Sequence, residues 1–537
     1  VHALSGPSTG QPLPAPPTIL AQLDRWARLR GDAPWLTVVE GDGRRTTLSF
    51  RELDVRSQAL ADWLAREVGV RPGDVCGLLP VNDVPSVVAV FALLRSGCPI
   101  LVLNPHDPPQ RLAEQTAALG AGFVFRGPKA PDPGVGSIIR LPDRLPEAAG
   151  TGTARPGSGR LPGPEADALF FGTSGSTAAS KLVAQTHANA AVNAYAVGRH
   201  HALRPGDRLL GCLPIHHVNG MHFTLFATLA AGAHAVLAES FSPFTYADII
   251  SEYRPRLASV VPSILESLLE ARPRPQLPAE FEYFVSAAAP LATTTVQNVF
   301  TRLNARVLQG YGLTETTNFS TTMPRQLHES DYRALTLDSE IPPVGHALHG
   351  SEIAVLDPDG TPVPAGEVGE ICMRGYNVMS RYVGNPAATD EAFANGWFHS
   401  GDLGFIGPDG TPGQGLLTIT GRKKNIAKVG GESVSLEELE RALLSFPPVR
   451  DAGCATMPDR RRGEMVVAAV VVSGELSEKS LLDHLRTRLS PAALPRTITR
   501  LEQIPRTATG KIRRSELADV LARAAAERPR SHGSRSE

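Results

Sequence analysis

Between residues 20 and 426, short apolar runs alternate with segments of helical period, the pattern of an open α/β sheet. Residues 86–94 are apolar at almost every position and stop at Ser96-Gly97, which predicts a helix. Residues 100–103 then read as a strand, and a second pair repeats the plan with a helix over 223–231 and a strand over 233–237. Residues 127–164 are rich in Pro and Gly without a clear period, and predict a surface connection. Beyond residue 426 the pattern changes. Ser435 with Glu438 three positions on is a capping box, and Leu436, Leu439, Leu443 and Phe446 share one helical face until Pro447-Pro448 ends it. Residues 465–472 then read as a buried strand and 481–489 as an amphipathic helix, so a small α+β unit follows the α/β part.

Composition narrows the function classes. The chain has 537 residues, 42% hydrophobic and 20% charged, which suits a soluble globular protein of two to four domains. A net charge of −1 excludes a broadly basic nucleic-acid binder. That total hides an asymmetry, with about +7 from residue 421 onward and about −8 before it. Only seven residues are Lys against 46 Arg, so each Lys raises the question of what Arg could not do there. Five scattered Cys without CxxC spacing read as buried thiols of a reducing cytoplasm. Residues 1–17 lack the basic and apolar regions of a signal peptide, and the longest apolar runs, 87–94 and 465–472, are about half a membrane span.

The first motif with chemistry is Phe170-Phe171-Gly172-Thr173-Ser174-Gly175-Ser176-Thr177-Ala178-Ala179-Ser180-Lys181. An apolar strand enters a loop of small and hydroxyl residues that ends in Lys; such a loop lets backbone N–H groups converge on phosphate. It is not a Walker A loop, since no Gly precedes the Lys and no Ser or Thr follows it. Three histidines close in sequence, His216, His217 and His222, lack the carboxylate or Cys partners of a zinc site.

Four further segments follow: Gln309-Gly310-Tyr311-Gly312-Leu313-Thr314-Glu315, Trp397-Phe398-His399-Ser400-Gly401-Asp402-Leu403-Gly404, Gly421-Arg422-Lys423-Lys424 and Pro505-Arg506-Thr507-Ala508-Thr509-Gly510-Lys511-Ile512. In order and spacing the five resemble the adenylate-forming superfamily of acyl-CoA and aryl-CoA synthetases and nonribosomal adenylation domains, over about residues 20–521. The resemblance implies a large N-terminal domain over 18–423, with stacked α/β sheets and a small β-barrel-like part, and a small mobile α+β domain over 424–523. Residues 1–17 and 524–537 are expected to be disordered tails. It implies ATP, Mg²⁺ and a phosphopantetheine thiol, on CoA or an acyl or peptidyl carrier protein, as cofactors and partners.

The residue roles come from the same resemblance. Lys511 would bridge the acid and the α-phosphate, Thr314 would meet the α-phosphate, and Glu315 would hold Mg²⁺. Thr173, Ser174, Gly175, Ser176, Thr177 and Lys181 would cradle phosphates; Ala287, Ala288, Ala289, Pro290 and Tyr311 would flank the adenine, with Gly312 among the nucleotide-binding residues; Asp402 and Arg422 would hold the ribose. Lys424 matches a hinge, and Gly430-Gly431 would line the thiol's path after domain rotation. The loop departs from the usual pattern at Ala178, Ser180 and Leu182.

For the acid, His217, Asn219, Phe223, Ser286, Gly310 and Asn318 are the pocket candidates, with His217 as its gate and, with Lys511, Thr314 and Glu315, one of the expected catalytic residues. No Asp stands where amino-acid-activating relatives hold an ammonium, so the expected acid lacks an α-amino group and is aryl, short or hydroxylated. Two alternatives stay open: a stand-alone adenylation enzyme for an unusual amino or β-amino acid, and an inactive nucleotide-binding scaffold. The sequence leaves monomer and homodimer undecided.

Overall fold

The structure is a computed structural model that describes residues 4–5, 18–134, 138–142, 162–173, 181–459, 462–507 and 510–527. Two mixed sheets form the body of the large part. The nine-stranded sheet runs His346–Ala347, Phe319–Thr322, Arg306–Gly312, Tyr283–Ser286, Leu257–Val260, Arg208–Gly211, His234–Ala238, Pro34–Val39 and Arg45–Ser49. Its centre, from Arg306–Gly312 to Pro34–Val39, is parallel, and its edges are antiparallel. The seven-stranded sheet runs Arg381–Tyr382, Leu182–Thr186, Asp167–Gly172, Ile100–Val102, Cys76–Leu79, Phe123–Arg126 and Ile138–Arg140.

One helix explains how these sheets stack. Val84–Arg95 buries ten of its twelve residues, and is apolar on every side. A helix without a polar face must be covered all round. It shares a single core with Trp35 and Leu237 of the nine-stranded sheet and with Leu78 and Ile100 of the seven-stranded one. Phe91 stands edge-on to Trp35 at 5.5 Å and to Phe226 at 6.0 Å. Asp83 caps the helix by accepting from the Ser86 N–H.

A third sheet, Leu4–Ser5, Ser351–Leu356, Gly369–Gly375, Phe398–Ile406 and Leu417–Arg422, is antiparallel throughout. Its pairings form an open path among the described residues, so the expected barrel-like part is an open sheet. Leu4–Ser5 pair with Glu352 and Ile353, so this stretch of the expected N-terminal tail is strand. Likewise Ile138–Arg140, inside the expected surface connection, extends the seven-stranded sheet beside Phe123–Arg126. Short β-rich segments flanked by Pro and Gly do not announce themselves, because pairing rather than periodicity holds them.

The turn Lys423–Asn425 separates the third sheet from a fourth, built of Glu432–Ser435, Ile426–Val429, Gly463–Val472 and Val449–Asp459, with Ile498–Arg500 added in parallel. Helix Leu436–Leu444 is capped by Ser435 and buries Leu436, Leu439 and Leu443; Phe446 lies just past its end. These residues form a core separate from that of the large part. Helix Arg514–Glu527 runs past residue 523, into the expected C-terminal tail. Among the described residues no helix is long and apolar enough to cross a membrane.

Candidate active site

The carboxyl ends of the parallel strands face one cleft of 2860 Å³, the place where open α/β sheets bind ligands. Arg208–Gly211 leads to His216–Asn219, Tyr283–Ser286 to Ala287–Pro290, and Arg306–Gly312 to Thr314 and Glu315. The backbone here is under constraint. Ala288 has φ 72° without being Gly. Thr317 has φ 66° and ψ −51°, and the Asn318 N–H donates back to the Thr316 carbonyl at 2.7 Å, a strained γ-turn. Asn377 holds that turn from outside. Its carbonyl accepts from the Thr317 hydroxyl at 2.7 Å, and its amide donates to Ser320 Oγ at 2.9 Å. Gly312 must be Gly, since a Cβ there would stand 1.6 Å from the Asn318 carbonyl oxygen.

At one end of the cleft, charged groups hold each other. Asp402 and Arg422 are cross-strand partners in the third sheet, and Arg422 Nε donates to Asp402 Oδ1 at 2.8 Å. The Tyr311 hydroxyl donates to Asp402 Oδ2 at 2.8 Å, and burial beside that carboxylate pushes its pKa well up. Tyr382 donates to Glu315 Oε1 at 3.0 Å, while Lys181 Nζ lies 4.5 Å over the Tyr382 ring. The short strand Arg381–Tyr382 delivers Tyr382, because it pairs with Leu182–Thr186 directly after Lys181. Thr314 is tied down through its carbonyl, which accepts from Gln185 Nε2 at 2.9 Å. Thr173 closes the hairpin base with its N–H on the Lys181 carbonyl at 2.9 Å. Ser174, Gly175, Ser176 and Thr177 lie outside the described residues, as do Ala178 and Ser180.

Lys511 reaches this cleft from the small domain. Its hairpin is closed by the Thr507 N–H on the Lys511 carbonyl at 2.8 Å and by Arg506 Nη1 on the Gly510 carbonyl at 2.7 Å. Arg506 is itself fixed by Asp451, at 2.6 and 3.3 Å. A Cβ on Gly510 would lie 3.5 Å from Ala289 Cβ, so the hairpin rests on the Ala287–Pro290 segment. Burial, reinforced by Arg422, lowers the Lys511 ammonium to about 8, with Asp402 and Glu315 opposing. Lys424 is exposed at the cleft edge. Gly430 (φ 61°) and Gly431 (φ 90°) turn between two strands of the fourth sheet with open space around them, and do not line the cleft.

The other end is neutral. His217 is lowered to about 4 by burial and by Lys511, and His216, its ring 4.5 Å away, to about 3 by burial first. Val218, Asn219, Val261, Gly310, Asn318 and Phe319 line the cleft beside them. Ser259 Oγ donates to Asn219 Oδ1 at 2.8 Å. Asn318 is buried and its Nδ2 has no partner. Two expected pocket residues lie behind this wall. Phe223 is fully buried and meets Phe319 edge-on at 5.3 Å, and Ser286 is buried with an unpartnered hydroxyl. Their aromatic and strand-end positions give no sign in sequence of which layer they occupy. His222 is also a support: its Nε2–H donates to Gln185 Oε1 at 2.8 Å, and burial lowers it to about 3. That leaves it a neutral link to Thr314 through Gln185, unrelated to His216 and His217.

Sequence reading missed Tyr382, Phe319, Asn377 and the Arg506–Asp451 clamp. Arg506 lies within the last motif and so carried a signal; Tyr382 and Asn377 carried none. Glu370, Cys372 and His399 bring donor atoms within 4.8 Å of one another, but Lys423 Nζ already sits 3.1 Å from the Glu370 carboxylate. A cation would have to displace that ammonium.

The AMP-binding enzyme family matches residues 23–383, and the AMP-binding enzyme C-terminal domain matches 438–511. A sulfoacetate–CoA ligase of Cupriavidus necator is 32% identical over 359 residues, 66% of this chain and 67% of the relative. A feruloyl-CoA synthase of an Amycolatopsis species is 29% identical over 494 residues, 90% of this chain and 96% of the relative. Among solved structures, the o-succinylbenzoate coenzyme A synthetase of Bacillus subtilis in complex with ATP and magnesium ion has a TM-score of 0.80 at 27% identity. That match covers 93% of this chain and 99% of the other.

Proposed function

The chain belongs to the AMP-binding enzyme family, and on that premise we propose that it activates a carboxylic acid lacking an α-amino group as acyl-AMP and passes the acyl group to CoA. The observation that carries this reading is the placement of Lys511, brought from the small domain into the field of Glu315, Asp402 and Arg422 beside His217. In the first step a carboxylate oxygen bonds to the α-phosphorus and pyrophosphate leaves. Both reactants are anions, so the work is positioning and charge stabilisation. Lys511 bridges them. Its ammonium gains charge stability once the two anions replace water beside it.

Asp402 accepts the ribose hydroxyls, held ready by Tyr311 and Arg422. Glu315 keeps one oxygen on Tyr382 and has the other to offer, a single-carboxylate donor set that suits Mg²⁺ arriving with nucleotide phosphates. When bound, Mg²⁺ supplies positive charge against the phosphate oxygens. Lys181 follows the phosphate loop on a surface it shares with Tyr382. None of Val218, Asn219, Val261, Gly310, Asn318 and Phe319 carries a carboxylate, and Asp107 is engaged by Arg111, so an α-ammonium would be desolvated there without a partner.

In the second step the thiol sulfur bonds to the acyl carbon and AMP leaves. Gly430 and Gly431 stand away from the cleft with Lys511 in place, which fits a rotation at Lys423–Asn425 that exchanges them. The test is acid-dependent exchange of pyrophosphate into ATP over a panel of carboxylates, followed by thioester formation with CoA and with a holo carrier protein. Exchange with no class of acid would overturn the reading; a carrier preferred to CoA would change the acceptor. Exchange only with amino acids would favour the stand-alone adenylation alternative.

A further inference from the structure

The geometry points to Asn318 and Asn219 as the residues that select the acid, through amide donors that take a neutral hydrogen-bond acceptor on the body of the substrate: a hydroxyl, alkoxy or keto oxygen. This rests on the reading of the cleft as an acid-activating site and specifies which acid enters it.

Asn318 is placed by construction. The γ-turn at Thr317 is a conformation a β-branched residue adopts only under constraint, and Asn377 supplies that constraint from two sides. Gly312 makes room for the turn, because any side chain there would collide with the Asn318 carbonyl. The product of this arrangement is a buried amide whose Nδ2 finds no acceptor in the protein. A buried donor without a partner costs free energy that an acceptor on a ligand recovers.

Asn219 is oriented independently. The Ser259 hydroxyl occupies its Oδ1, which leaves the amide NH₂ as the free donor at the same end of the cleft. Apart from the imidazole N–H groups of His216 and His217, the surrounding wall, Val218, Val261, Gly310 and Phe319, offers no other donor from a side chain. Phe319 is pinned from behind by Phe223 and lies so close to Gly310 that a Cβ there would stand 2.9 Å from the ring, which gives the pocket a flat aromatic side.

The sign of the acceptor follows from charge. Val218, Val261, Gly310 and Phe319 carry no charge, His216 and His217 are held neutral by burial, and Arg111, which lines the same cleft, is paired with Asp107 at 3.2 Å. A second carboxylate or a sulfonate would enter with its charge unpaired, whereas a neutral oxygen satisfies two amide donors without that penalty.

Pyrophosphate exchange with matched acids reads this directly. One series is benzoate, 4-hydroxybenzoate, 4-methoxybenzoate and terephthalate; a second is butyrate, 3-hydroxybutyrate, acetoacetate and succinate. Relative to the unsubstituted acid, the neutral-oxygen acids are expected to gain about tenfold or more in kcat/KM in at least one series, with the dicarboxylate slowest. Asn318→Leu should reduce that gain to about twofold or less while leaving the KM for ATP unchanged, and Asn219→Leu should act in the same direction. The inference fails if unsubstituted acids are equal or better in both series, or if a dicarboxylate is the best substrate. Failure of exchange with every acid would instead remove the parent reading, and this inference with it. The wild-type ranking decides even where a variant does not fold.

Discussion

The two ends of the cleft differ in what they have done before a ligand arrives. At the nucleotide end Asp402 engages Tyr311 and Arg422, Glu315 engages Tyr382, and Arg506 braces the Lys511 hairpin against Asp451. At the acid end the histidines are neutral and one amide waits without a partner. Preorganised charge suits a ligand whose shape never varies, because no reorganisation is needed when it binds. Unspent neutral donors suit the part of the site that distinguishes one substrate from another. On the proposed reading, one end carries the rate and the other the choice.

The largest break of this contrast should come from Lys511→Ala. Pyrophosphate exchange is expected to fall about 10²–10³-fold, while thioester formation from synthetic acyl-AMP changes by less than about threefold. Equal losses in both half-reactions would remove Lys511 from the first step. Asp402→Ala leaves the Tyr311 hydroxyl and Arg422 without their shared acceptor. It should lower kcat/KM for ATP by about tenfold to a hundredfold and cost about 1–3 kcal/mol of stability in denaturant unfolding. An unchanged denaturation midpoint would show that the two partners find other acceptors.

Arg506→Ala sharpens the comparison, since it frees the hairpin without touching substrate. Exchange should drop about tenfold in kcat, with the KM for ATP and the thioester step unchanged. The pH profile tests the same ammonium. With Lys511 at about 8, kcat/KM for exchange should fall about tenfold per unit above that pH, because the neutral amine cannot bridge two anions. His217, at about 4, should add no inflection between pH 5 and 8. An alkaline limb that survives Lys511→Arg unshifted would assign it elsewhere. Tyr382→Phe is the mildest, with a loss of about two- to fivefold read as a higher Mg²⁺ requirement.

Much of this architecture was legible as pattern. The helix predicted over 86–94 and the strand over 465–472 appear as Val84–Arg95 and Gly463–Val472, because continuous apolar runs have few other uses in a globular chain. The motifs meet in one cleft insofar as they are described: two end strands of the α/β sheets, two lie on the antiparallel third sheet, and the last is a hairpin of the small domain. What stayed hidden depended on contacts between distant positions. Tyr382 reaches Glu315 through a two-residue edge strand, and Phe223 retreats behind Phe319 because the strand carrying Phe319 already fills the wall. Neither fact has a local cause that a sequence could display.

Helix Val84–Arg95 has a consequence for how the large domain comes apart. Since its surface is divided between the two sheets, separating either sheet exposes a rod of valine, leucine and phenylalanine with no polar side to turn outward. The two sheets therefore stand or melt together, and the backbone amides of this helix should exchange with deuterated solvent only through global opening.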